Sequence, residues 1–369
     1  MIDILILIAG LALILLGANY LVDGASAIAK RWGISEFIIG MTIVGIGTST
    51  PEMVVSFLSA AQGNADIAVG NVIGSNIFNI LMILGITALI MPLPLTGNNI
   101  KKDIPFALLA AATLIFAGAD IMLDGAPANI ISRTDGLMLL SLFGVFMAYT
   151  IYSSQTSTGM SLQSPAGISQ NNASSTLPDS SEGEIKQRPI WLALIMVVGG
   201  LAGLVYGGDL FVASATALAK MLGVSDAVIA VTIMAGGTSL PELASCVVAA
   251  MKKNADLALG NVIGSNVSNV FLILGGSAVI HPLGMANIGN LDLGMLLLSS
   301  ILLFIAAVTF KKRSLARVEG AIFVLLYIGF IVMTLRGSHN IFNNTDKGPQ
   351  FICCRPFLSP TPRPSGTPS

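Results

Sequence analysis

Two long apolar stretches of this chain carry the same pair of interruptions at one fixed separation. Gly47-Thr-Ser-Thr-Pro-Glu52 returns as Gly237-Thr-Ser-Leu-Pro-Glu242. Asn64-Ala-Asp-Ile-Ala-Val-Gly-Asn-Val-Ile-Gly-Ser-Asn76 returns as Asn254-Ala-Asp-Leu-Ala-Leu-Gly-Asn-Val-Ile-Gly-Ser-Asn266. One offset of 190 residues, from 52 to 242, aligns both pairs without a gap and also matches Lys30 to Lys220 and Gly33 to Gly223. The chain therefore reads as two copies of one unit, each with a carboxylate inside an apolar run.

The medium follows from composition. Of 369 residues, 54% are hydrophobic and only 10% charged, with a mean hydropathy of +0.84. Soluble domains carry about 25% charged residues, so the unit belongs in a bilayer. A net charge of −1 gives no argument for a nucleic-acid partner. Cys246, Cys353 and Cys354 form no CxxC pair and no disulfide framework, and His281 and His339 do not make a zinc site with so few thiols. Met1-Ile-Asp-Ile-Leu lacks the basic start of a cleaved signal, so residues 4–22 are expected as a retained helix.

About 20 mostly apolar residues span a bilayer. Ten such segments are expected, at 4–22, 36–61, 66–91, 104–123, 134–153, 190–219, 226–250, 256–280, 291–309 and 317–335. Their continuous apolar character favours helices over a barrel. Residues 1–153 and 190–336 are then two five-helix repeats. Residues 154–189, rich in Ser, Gln, Asn and Thr, read as a flexible polar linker. Residues 337–369, with Pro356, Pro360, Pro362, Pro364 and Pro368, read as a disordered tail. Asp209 interrupts the sixth segment, which is expected to project beyond the apolar layer.

Basic residues set the orientation. Lys30, Arg31, Lys101, Lys102, Lys186, Arg188, Lys252, Lys253, Lys311, Lys312, Arg313 and Arg317 collect on one side of a ten-span chain; Arg133 and Lys220 lie opposite, with Arg336 at the start of the tail. The basic side is expected to be cytoplasmic, with both termini outside. Five spans per repeat is an odd number, so the second copy enters the membrane inverted. The predicted fold is all-α and integral to the membrane, with ten helices in two inverted-topology repeats.

Inverted repeats with interrupted helices are a recurrent plan for secondary transporters. Gly45, Gly47 and Pro51 break the second segment; Gly236, Gly237 and Pro241 break the seventh. Proline removes an amide donor, and backbone oxygens near Thr48 and Thr238 become available to a cation. Glu52 and Glu242 follow the breaks with no Lys or Arg in either motif, so two facing carboxylates require a proton or a metal between them. Ser49 lies three residues before Glu52, and Ser239 three before Glu242, on one helical face. Ser75 and Asn79, like Ser265 and Asn269, are four apart on one face. All are hard oxygen donors, which suit Ca²⁺ or Na⁺ and disfavour Zn²⁺ or Cu²⁺. Gly70, Gly74, Gly260 and Gly264 allow close helix approach.

The paired GTSxPE and GNVIGSN segments resemble the alpha repeats of the calcium/cation antiporter superfamily, and most closely its sodium/calcium exchanger branch, including prokaryotic calcium/sodium antiporters. The resemblance covers residues 1–336. It implies alternating access, a central cluster of four cation sites, and Glu52 and Glu242 as principal Ca²⁺ ligands. It further implies that Ser49, Ser75, Ser239 and Ser265 line cation positions, with Thr48 and Thr238 giving backbone oxygens. Exchangers of this branch often carry Asn then Asp at the position four after the motif serine; this chain carries Asn79 and Asn269. A proton-coupled Ca²⁺ antiporter is accordingly the alternative, with an intramembrane hydrolase using Ser49 or Ser239 and a passive cation channel behind it.

Each residue also has a plainer role open to it: a helix cap for a lone glutamate, a packing kink for Gly and Pro, a bond to its own backbone for a membrane serine, helix–helix glue for Asn79 and Asn269. Asp66 and Asp256 are expected as surface caps, Asp23, Asn19 and Asp209 as lining of an access path or as packing, His281 as interfacial and Cys246 as core. No catalytic residue, cofactor or obligatory protein partner is expected. The partners are Ca²⁺, Na⁺ and the lipid, and the place is a plasma (cell inner) membrane.

Overall fold

Backbone amides and carbonyls in hydrocarbon must find partners within their own segment, and helices do this. The computed structural model describes residues 2–97, 99–159, 189–222, 235–285, 288–309 and 314–342. In the first half these are α1 (Ile2–Trp32), α2 (Glu36–Thr48), α3 (Thr50–Ala61), α4 (Ala65–Ile90), α5 (Ile104–Ala117), the short α6 (Asp120–Asp124) and α7 (Arg133–Gly159). In the second half they are α8 (Ile190–Met221), the single turn α9 (Ala235–Gly237), α10 (Leu240–Met251), α11 (Ala255–Ile280), α12 (Asn290–Thr309) and α13 (Arg317–Phe342). Among the described residues seven helices are long and apolar enough to cross a bilayer, or eight when α2 and α3, bent by 46° at Ser49, are one broken span.

Several boundaries differ from the sequence expectation. The first span runs to Trp32, because nothing breaks the helix before Gly33, whose left-handed φ of +67° ends it. The fourth stops at Ala117, where Gly118 turns the chain and Asp120 opens a separate helix. Helix α7 continues to Gly159, six residues into the expected linker, and α13 continues to Phe342, into the expected tail. Residues 160–188 and 343–369 lie outside the described residues, as do 223–234, which include the start of the seventh expected span. Asp209 leaves α8 unbroken.

The halves interlock. Gly10 of α1 packs on Gly207 and Phe211 of α8, Gly17 on Gly200 and Leu204, and Gly24 on Ala193. Contacts that descend one helix as they ascend the other make the pair antiparallel. A Cβ on Gly17 would stand 2.8 Å from the Gly200 carbonyl, so glycine sets this approach. Two short antiparallel bridges stitch the halves: β1 (Leu93–Pro94) pairs with β4 (Ser314–Leu315), and β2 (Ile130–Ile131) with β3 (Leu283–Gly284). Arg133 Nε donates to the Val279 carbonyl at 3.2 Å, and an Arg317 guanidinium nitrogen to the Ile90 carbonyl at 3.5 Å, the same contact with the halves exchanged. Helix α11 is enclosed almost throughout, and it carries one copy of the second motif at the centre of the molecule.

Candidate cation site

The breaks create the site. Ser49 (φ −79°, ψ 12°) separates α2 from α3, and Ser239 (φ −91°, ψ 11°) holds the same position before α10. Pro51 and Pro241 stand in the first turns that follow, where a helix needs no amide donor. The carbonyl that Pro51 leaves without an amide is that of Gly47, and the Thr50 hydroxyl takes it at 2.6 Å. The oxygen freed by the proline is thus partnered locally, one residue before the Thr48 position expected to supply it.

Ser49 and Glu52 are spaced to meet on one helical face, yet the structure sends each serine across the molecule. Ser49 Oγ donates to Glu242 Oε1 at 2.8 Å, and Ser239 Oγ donates to Glu52 Oε1 at 2.8 Å. Because the helix breaks at the serine, its hydroxyl leaves the face that periodicity assigns to it. Glu52 is 1% and Glu242 0% exposed. The two reciprocal bonds place both carboxylates in one enclosed volume. The second carboxylate oxygen of each, Glu52 Oε2 and Glu242 Oε2, is buried and makes no hydrogen bond among the described residues.

The α4 and α11 helices complete the shell. Both widen into π-helical turns, Phe78–Ile83 and Asn269–Leu274, a distortion frequent at functional sites. Asn79 Nδ2 donates to Asn266 Oδ1 at 3.2 Å, and Asn269 Nδ2 donates to Asn76 Oδ1 at 3.1 Å. These crossed amide bonds leave Asn79 Oδ1 and Asn269 Oδ1 buried without a donor. Thr238 Oγ1 is likewise buried and unbonded, whereas Thr48 Oγ1 donates to Asn261 Oδ1 at 3.2 Å. Ser265 Oγ donates to the Gly45 carbonyl at 3.1 Å, tying α11 to the second span just before its break. Ser75 is buried on α4. Among the described residues no third Asp, Glu, His or Cys joins the two glutamates in a cluster able to hold a metal.

Four asparagines that served in the sequence only as motif markers position the rest. Asn76 and Asn266 orient the two amides; Asn71 Nδ2 donates to the Glu52 carbonyl at 3.1 Å and to Ser56 Oγ at 2.9 Å. Asn261, its mate at the 190-residue offset, donates to Ser245 Oγ at 2.7 Å and Cys246 Sγ at 3.2 Å. Cys246 is core, as expected, and its thiol faces the Ala258 carbonyl as Ser56 faces that of Ala68. Their signal was recurrence at the same offset. Asp66 and Asp256 stand in first helical turns, where their charge meets the positive helix end, and are not caps. The cap of α11 is Asn254, which accepts the Leu257 amide at 3.0 Å. Asp23 pairs with Lys252 at 2.7 Å, Asn19 Nδ2 bonds the Leu15 carbonyl, and Asp209 lines a cavity beside Thr238. His281 caps the end of α11, its ring facing the Pro282 carbonyl.

Residues 2–152 and 192–336 match the family described as sodium/calcium exchanger protein. The chain belongs to the sodium/calcium exchanger family. It is 37% identical over 325 residues, 88% of its length and 95% of the relative's, to a putative antiporter, CaxA, of Alkalimonas amylolytica. It is 34% identical over 347 residues, 90% of its length and 98% of the relative's, to the sodium/calcium exchanger MaX1 of Methanosarcina acetivorans. Its fold matches that of the sodium–calcium exchanger NCX_Mj with a TM-score of 0.71 and 31% identity, covering 90% of this chain and 98% of the other. As a member of this transporter family the chain is a multi-pass membrane protein and not an enzyme. The hydrolase alternative falls with that.

Proposed function

We propose that the chain exchanges Ca²⁺ for Na⁺ across a plasma (cell inner) membrane by alternating access, with the cation gripped between Glu52 and Glu242. The carrying observation is the crossed pair of Ser–Glu bonds, which leaves one oxygen of each buried carboxylate without a donor. Asn79 Oδ1 and Asn269 Oδ1 add two more such acceptors. An unsatisfied buried acceptor costs about 1–3 kcal/mol, and more when charged, so four together call for a cation. Ca²⁺ takes six to eight oxygens, and two carboxylates balance its charge. The remaining oxygens come from Thr238, Ser75 and the backbone at Thr48 and Thr238. Two Na⁺ ions neutralise the same pair of carboxylates, which makes the two loads mutually exclusive. An empty site would carry two bare charges through a low-dielectric barrier, so only loaded states switch sides.

In this reading the chain forms ten spans in two inverted five-helix repeats, residues 1–153 and 190–336, with both termini outside. The antiparallel packing of α1 on its mate α8 and the exchanged strand pairs support it. The absence of a third acid at Asn269 supports proton coupling as the second reading. Reconstituted vesicles given Na⁺, K⁺ and H⁺ gradients one at a time distinguish them. Radiolabelled Ca²⁺ uptake is expected with the Na⁺ gradient and is expected to vanish in Glu52→Gln and in Glu242→Gln. Normal uptake by either variant would overturn the glutamate assignment, robust uptake on a pH gradient without Na⁺ would overturn Na⁺ coupling, and flux needing no counter-ion would mark a channel.

A further inference from the structure

The 190-residue offset makes each described contact in one half a test of its mate, and beside α1 the halves disagree. Near the end of α1, Lys252 Nζ meets Asp23 Oδ1 at 2.7 Å and the Asn19 carbonyl at 3.3 Å, and Asn254 Nδ2 donates to Ser26 Oγ at 3.1 Å. Three polar contacts thus strap α1 to the turn between α10 and α11. The mates of Asp23 and Lys252 are Ala213 and Gln62, which form no ion pair. There α8 stands off α3, and a cavity of about 480 Å³ opens between them, lined by Thr50, Pro51, Asp209, Ala213 and Thr216, and reaching Thr238 beside the cation site. The pocket at the strap, about 520 Å³ and lined by Asp23, Ser26, Lys252 and Asn254, reaches neither Thr48 nor either glutamate. Because α1 and α8 run antiparallel, the strap and the cavity lie at opposite ends of the pair.

The turn that carries the strap is itself unusual. Lys253 adopts φ +59°, a left-handed conformation that its mate Gly63, at φ +75°, takes without strain. The second half keeps a lysine pair in a turn whose backbone favours glycine, and one of those lysines reaches α1.

We propose that Lys252, acting through Asp23, is a positioning residue for the exchange: it holds shut the passage between α1 and α10 and so leaves the passage between α8 and α3 open. The inference rests on the alternating-access reading. It makes the two directions of access unequal by construction, although the cation site is nearly symmetric. Both partners are partly exposed, at 32% and 42%, so the ion pair shifts the balance between the two access states by about fivefold at most.

The test uses the full chain in proteoliposomes, with Cys246, Cys353 and Cys354 replaced by serine and one reporter cysteine added. Ala213→Cys reports the open passage, and Ala244→Cys, at the mate of Val54, reports the strapped one. A membrane-impermeant thiol reagent is applied to each face. Asp23→Asn or Lys252→Gln is expected to speed labelling of Ala244→Cys and to slow that of Ala213→Cys, so that the ratio of the two rates changes by up to about fivefold. The swap Asp23→Lys with Lys252→Asp is expected to restore both rates. Unchanged labelling in the single variants, or failure of the swap to restore it, would overturn the strap. Labelling needs no ion gradient, so absent Na⁺-driven Ca²⁺ flux in the parent chain would overturn the exchange reading separately.

Discussion

Ser49 and Ser239 show what a residue's neighbours in sequence conceal. Helical spacing places each beside the glutamate three residues on, and that spacing holds only inside an unbroken helix. The break falls on the serine itself, so its hydroxyl is released to the other half's glutamate. The identity of the carboxylates, serines and amides was legible from duplication, while their pairing depended on how two distant segments dock. The same holds for Asn76, which acts on a candidate ligand from another helix, Asn269. Its Oδ1 is the acceptor that turns the Asn269 amide, leaving Asn269 Oδ1 free for a cation. Asn76→Ala and Asn269→Ala are each expected to raise the half-saturating Ca²⁺ concentration by about tenfold, the scale of one hydrogen bond to a charged group. Because Asn76 works through Asn269, the double variant is expected to match Asn269→Ala alone, whereas independent roles would multiply. Ca²⁺-dependent uptake over a concentration series checks this.

At the scale of elements, seven of the ten expected spans, or eight with the broken α2–α3 pair, are long apolar helices among the described residues, and hydropathy misjudged their ends. An apolar count registers where lipid would be tolerated; it does not register where a helix ends. Gly33 ends α1 ten residues past the expected boundary, and Asn254 rather than Asp256 caps α11. The glycine spacing was a truer guide. Gly260 and Gly264 face the second span so closely that a Cβ on Gly264 would lie 2.1 Å from the Met41 carbonyl. A backbone atom cannot swing aside as a side-chain tip can. Gly264→Ala is therefore expected to destabilise the purified protein by about 1–3 kcal/mol, read as a lower melting temperature in detergent. Gly329→Ala, where a Cβ meets nothing within 4 Å, is the control and is expected to melt like the parent chain. Equal melting of the two variants would contradict the close packing.

For the whole molecule, one number in the sequence, the 190-residue offset, anticipated two halves that exchange contacts. The site forms at their junction because each half supplies one glutamate and the serine that bonds its partner's. Neither half alone holds two carboxylates together, so on the proposed reading a bound cation would cement the halves. The departures from symmetry, Asp23 against Ala213 and Lys252 against Gln62, were present in the sequence too, and acquired meaning only once α1 was seen against α10. On the proposed reading, one Ca²⁺ is shared by Glu52 and Glu242. Equilibrium Ca²⁺ binding to the purified chain, titrated without Na⁺, tests it most directly. A shared site predicts that Glu52→Gln and Glu242→Gln each remove the high-affinity Ca²⁺ entirely. A variant that keeps that Ca²⁺ at unchanged stoichiometry and affinity would contradict it.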